Sequence, residues 1–79
     1  MELTSLPLEA TGEVIELKAA GKQRRRLLDL GLIPGTMVTC SRKSPSGDPK
    51  AFIIRGTTIA LRSEETDLVE VNFKKGGEY

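Results

Sequence analysis

The chain contains no histidine. That removes the commonest general base, the commonest metal ligand and every Ser–His or Cys–His pair. Its one thiol, Cys40, falls on the inward row of an alternating segment and reads as a small buried hydrophobe rather than a nucleophile. A zinc site needs about four nitrogen, sulfur or oxygen ligands, and no Cys/His cluster is present. Glu64, Glu65, Asp67 and Glu70 come close together, but without the spacing of a calcium loop. Glu64 and Glu65 are better explained as acids in the first turn of a short helix. No phosphate-binding glycine loop occurs. The inventory argues against catalysis, a resident metal or a cofactor.

What remains is binding chemistry. Residues 18–55 hold nine bases against Asp29 and Asp48, whereas residues 1–17 hold four acids and no base. The whole chain nets +1. A basic middle favours an acidic protein surface or a phosphate backbone, unless the fold interleaves the segments and dilutes the asymmetry. Within it, Lys22, Arg25 and Arg26 define one candidate docking surface. Arg25 and Arg26 lie within i+4 and i+3 reach of Asp29, pairs worth a few tenths of a kcal/mol. Arg24 falls beside Leu27 and Leu28, where its stem can pack and its head reach water. The second candidate is the loop Ser44, Pro45, Ser46, Gly47, Asp48 and Pro49, whose prolines and glycine give it a defined shape and a smaller entropy loss on binding. Ile53, expected to face outward near Met37 or Leu68, could add an apolar contact.

These groups need elements to position them. Residues 13–17 read as a strand with Ile15 and Leu17 on one face. Residues 22–30 read as a helix. Gly31 follows as the left-handed stop, with Leu32 folding back onto Leu27, and Pro34 prevents the helix resuming. Pro34-Gly35 predicts a type II turn. Residues 36–42 alternate, with Val38 and Cys40 inward. Residues 51–55 place Phe52 and Ile54 inward, Gly56-Thr57 reverses the chain, and residues 58–62 place Ile59 and Leu61 inward. Ser63 reads as the cap of one helical turn. Residues 68–73 close the set with Val69, Val71 and Phe73 inward. Five short strands and one helix in 79 residues predict a mainly β fold, a small barrel with the helix inserted after the first strand. Closure also removes exposed strand edges.

The chain reads as one domain over 1–79, with 74–79 a frayed tail. No apolar run approaches the roughly 20 residues of a spanning helix, and the first residues lack the features of a signal peptide. A single cysteine can form no internal disulfide, which fits a cytoplasmic protein.

Three stretches together resemble the FeoA family. Residues 25–36 (RRLLDLGLIPGT) are similar to its helix and Pro-Gly turn, carrying Leu27, Leu28, Leu30, Gly31, Pro34 and Gly35. Residues 45–49 (PSGDP) resemble its loop, and residues 55–62 (RGTTIALR), with Gly56, resemble its hairpin. The match runs from about Glu13 to Val71. Three positions depart from the family's habit: Ser46 where leucine is usual, Thr66 where alanine is usual and Ala10 where glycine is common. The resemblance implies an SH3-like barrel and a cytosolic accessory protein of ferrous-iron transport that contacts a FeoB-type transporter, which carries its own GTPase domain. It carries over no metal or catalytic residue. Self-association is compatible with it. Two other readings are a small barrel that binds nucleic acid, and a free-standing relative of the SH3-like domain that ends some metal-dependent repressors. Few aromatics and a modest net charge argue against nucleic acid.

Overall fold

A computed structural model describes residues 1–74, the side chain of Lys74 excepted. Five antiparallel strands form one sheet: β1 (Thr11–Leu17), β2 (Met37–Lys43), β3 (Lys50–Ile54), β4 (Thr57–Leu61) and β5 (Val69–Lys74), in the order β4-β3-β2-β1-β5. Helix α1 (Gly21–Asp29) follows β1, and a single turn, α2 (Ser63–Thr66), joins β4 to β5. Lys74 closes β5, so it belongs to the sheet. The rest of the expected tail, 75–79, lies outside the described residues.

The exit from α1 follows the local rules. Gly31 takes φ +98°, its N–H donates to the Leu28 carbonyl, and the Leu32 N–H donates to the Leu27 carbonyl. This is the Schellman pattern expected from the sequence, and Leu27 and Leu32 are both buried. Gly31 has a second reason to be glycine. A Cβ there would lie 3.2 Å from side-chain carbons of both Ile54 and Arg55, so the β3–β4 hairpin rests directly on the helix end. The Pro34-Gly35 turn also forms, with Gly35 at φ +98° and the Thr36 N–H donating to the Ile33 carbonyl.

The sheet departs from simple alternation in β1. The register against β5 shifts between Val14 and Glu16, leaving Ile15 as the extra residue of a bulge. Val14 and Leu17 therefore both reach the core, while Ile15, expected inward, is exposed. The hairpin reversal sits one residue earlier than expected. Ile54 pairs with Thr57, and the turn residues are Arg55 (φ 53°) and Gly56 (φ 84°), as a two-residue turn with both φ positive requires. Phe73 pairs with Gly12 but is 38% exposed, so it is no core residue.

Phe52, Ile54, Val38, Cys40, Leu61, Val69 and Val71 meet Leu27 and Leu32 in a single cluster. Two of its members lie where no strand or helix was expected. Leu3 and Leu6, flanking a 3-10 turn at Leu3–Ser5, are 0% and 1% exposed. Burying a leucine stabilises by about 1.5–3 kcal/mol, so this N-terminal segment is part of the fold rather than an appendage.

Candidate functional site

The two candidate surfaces meet at one place. An open groove of about 570 Å³ lies between α1 and β4, with Arg26 and Leu27 on one wall, Pro49 and Ala60 on the other, and Arg62, Glu64 and Glu65 across its end. A shallower depression of about 390 Å³ continues along α1 past Lys22, Arg25 and Asp29. Pro49 and Arg26 thus share a cleft, while Lys22 and Arg25 border it from the helix surface.

The basic residues are not equivalent. Arg25 sits 3.8 Å from Asp29 with both side chains largely exposed, a pair of little energetic consequence. Arg26, expected to reach the same aspartate, turns the other way: its Nε donates to Glu65 Oε2 at 2.6 Å. That hydrogen bond is the main reason the Glu65 carboxyl is held below its usual range; partial burial opposes it, and the Arg62 backbone adds to it. Arg24 is exposed rather than packed along the apolar seam, and neither it nor Lys22 forms an ion pair among the described residues.

The loop owes its shape to internal contacts. The Gly47 N–H donates to the Ser44 carbonyl, the Ser46 hydroxyl donates to the Asp48 carbonyl, and Ser44 and Ser46 hydroxyls lie 3.2 Å apart. The peptide bond before Pro49 is cis. The Asp48 carboxylate accepts from the Ser63 N–H at 2.8 Å. Ser63 was expected to cap α2 itself. It occupies the first helical position instead, and Asp48 supplies the acceptor from fifteen residues away. Asp48 is therefore anchored to α2, whereas Pro45 and Ser46 are exposed.

Sequence reasoning missed a second contact network. Thr66, buried to 2%, has its hydroxyl 2.6 Å from that of Thr4, which also donates to Asp67. Lys50 Nζ donates to the Thr4 carbonyl at 2.6 Å. Glu70 accepts from the Met1 ammonium and lies 3.0 Å from Lys18 Nζ, contacts that lower its pKa in that order. Threonine in place of alanine at 66 was the one available clue. Glu65, Asp67 and Glu70 thus face cations or hydroxyls, and no group of three or more metal-ligating side chains gathers among the described residues. Burial pushes the Cys40 thiol upward, away from the reactive thiolate.

The architecture is a small five-stranded β fold with a groove beside its inserted helix; among the described residues β4 and β5 do not pair, so the full closure expected from the sequence is not reached and two strand edges remain. No helix among the described residues is long and apolar enough to cross a membrane. Residues 1–72 match the family model described as the FeoA domain, and the chain belongs to the FeoA family. A FeoA protein of Chlorobium tepidum, solved in solution, is 33% identical with a TM-score of 0.87, covering 99% of this chain and 74% of that one. The crystal structure of Stenotrophomonas maltophilia FeoA complexed with zinc is 32% identical with a TM-score of 0.82, covering 91% and 89%. That protein is described as an SH3 domain protein, in agreement with the expected SH3-like fold. A protein of Porphyromonas gingivalis, an Fe(2+) transport protein A/Fe(2+) transporter FeoB fusion, is 27% identical over 71 residues. Those residues are 90% of this chain but 8% of the fusion protein. The family is thereby tied to ferrous-iron transport.

Proposed function

We propose that this protein is a non-catalytic accessory subunit of bacterial ferrous-iron uptake that binds the cytosolic part of a FeoB-type transporter. The observation that carries this reading is the fusion relative, in which a similar segment and the transporter share one polypeptide. Such a fusion holds two modules at high effective concentration, which serves a pair that works in contact. The helix surface at Lys22 and Arg25, with the exposed loop residues Pro45 and Ser46, is the docking face. It combines solvent-exposed charge, which speeds and orients encounter, with a preshaped loop. Serine at 46 makes the loop's contribution polar. The protein works in the cytoplasm, at the inner face of the membrane through its partner.

An amide chemical-shift titration of the labelled protein with the transporter's cytosolic GTPase domain, with and without nucleotide, tests this. Shifts clustered on residues 22–31 and 44–49 are expected, and nucleotide dependence would indicate regulation of the GTPase cycle. Lys22→Glu with Arg25→Glu should weaken the complex most at low salt, and it spares the Arg26–Glu65 pair. An absence of shifts at high concentration would overturn the reading.

A further inference from the structure

The groove has a property that its side chains alone do not explain: one wall is an unpaired strand edge. In the β3–β4 hairpin a two-residue turn makes Ile54 and Thr57 a hydrogen-bonded pair, and the pattern alternates. Phe52–Ile59 and Lys50–Leu61 are then the next bonded pairs. The N–H and C=O groups of Thr58 and Ala60 point away from β3, and none makes a hydrogen bond among the described residues. The edge ends at Arg62, whose N–H donates to Glu65 Oε1 at 3.3 Å and whose carbonyl accepts from the N–H groups of Glu65 and Thr66. The same Glu65 pairs with Arg26, so one ion pair bounds both the strand edge and the groove.

Proteins usually guard an open edge with a lysine, a proline, a bulge or a cover. Thr57-Thr58-Ile59-Ala60-Leu61 has neither charge nor proline, and its pairing with β3 is regular. We propose that this edge receives an extended segment of the partner as a sixth strand, seated in the groove beside α1. Main-chain bonds to Thr58 and Ala60 supply affinity, and alternate side chains of the incoming strand meet Arg26 and Pro49. The segment is acidic, because the surrounding cations Lys22, Arg25, Arg26 and Arg62 outnumber the acids Asp29, Glu64 and Glu65. This inference rests on the proposed transporter partnership and names the kind of contact within it.

The test is amide hydrogen exchange of the labelled full chain, alone and saturated with the transporter's cytosolic GTPase domain. Alone, Thr58 and Ala60 should exchange fast while Ile59 and Leu61 are protected. Saturation should slow Thr58 and Ala60 by about tenfold or more. Thr58→Pro and Ala60→Pro each remove an edge donor without touching the β3 ladder, as edge strands tolerate. Each should weaken binding about tenfold while Ile59 and Leu61 keep their protection. Binding that leaves both amides unchanged overturns the strand contact and leaves the partnership standing. If the domain does not bind at all, the partnership falls, and random 12-residue peptides displayed against the immobilised protein decide the edge. Enriched acidic peptides that protect Thr58 and Ala60 sustain it; no enrichment overturns it. Protection that rises with the protein's own concentration would assign the edge to a second copy and overturn the proposal.

Discussion

The two edges of the sheet are treated in opposite ways. The outer edge of β5 is covered by the chain's own N-terminal segment: the Val71 N–H donates to the Met1 carbonyl, and Glu2 bridges Glu70. That cover is held by Leu3 and Leu6 in the core, by the Thr4–Thr66 hydroxyl pair and by Lys50 on the Thr4 carbonyl. Among the described residues the outer edge of β4 is met only by Glu65, at Arg62 just past its end. One edge is thus closed for stability, and the other is left open beside a groove. The difference separates residues whose loss unfolds the protein from residues whose loss changes only what it binds.

That separation can be broken most severely on the closed side. Leu3→Ala should lower unfolding free energy by about 3 kcal/mol, read by urea denaturation. A change below about 1 kcal/mol would mean the cover contributes little. Gly31→Ala acts where the β3–β4 hairpin rests on α1. A methyl at positive φ, 3.2 Å from Ile54 and Arg55, should cost about 2 kcal/mol and shift the amides of β4. Thr66→Val keeps the shape, removes one hydroxyl from the Thr4 pair and should cost about 1 kcal/mol without altering partner affinity. Smallest is Arg55→Asn, which relieves a positive φ at a turn and should stabilise by about 0.5 kcal/mol, seen as a raised Tm.

Acid sharpens the comparison on the open side. The Glu65 carboxyl has a folded pKa below its unfolded one, so its contribution is present above the ordinary carboxylate range and lost as pH falls through the depressed value. Glu65→Gln should flatten that part of the stability profile, lowering stability above the carboxylate range and leaving the acid end unchanged, as chemical denaturation across pH 3–6 would show.

Much of this was legible because it is local. Leu27, Gly31, Leu32, Pro34 and Gly35 sit within nine residues, and their preferences agree with one another and with the fold. The strands followed from alternation, except where the β1 bulge exchanged Ile15 for Val14; a bulge is decided by the neighbouring strand, which a single segment does not contain. The roles of Asp48 and Arg26 escaped for the same reason. Arg26 had a plausible local partner in Asp29 and Asp48 read only as part of a turn, yet each reaches α2, thirty-nine and fifteen residues away. The two candidate segments were visible in the sequence, but the groove that joins Arg26 to Pro49 exists only once α1 and β4 lie side by side.

The N-terminal cover also constrains how the chain becomes native. Its hydrogen bonds to Thr66 and Val71 span 62 and 70 residues. During synthesis, Leu3 and Leu6 leave the ribosome well before β5, the strand beside which they are shielded from water. Closing so long a loop is entropically demanding, and sheets built on distant pairings fold more slowly than helical proteins of equal size. The interval between the emergence of Leu3 and that of β5 is when the nascent chain exposes these two leucines to chaperones or to other chains.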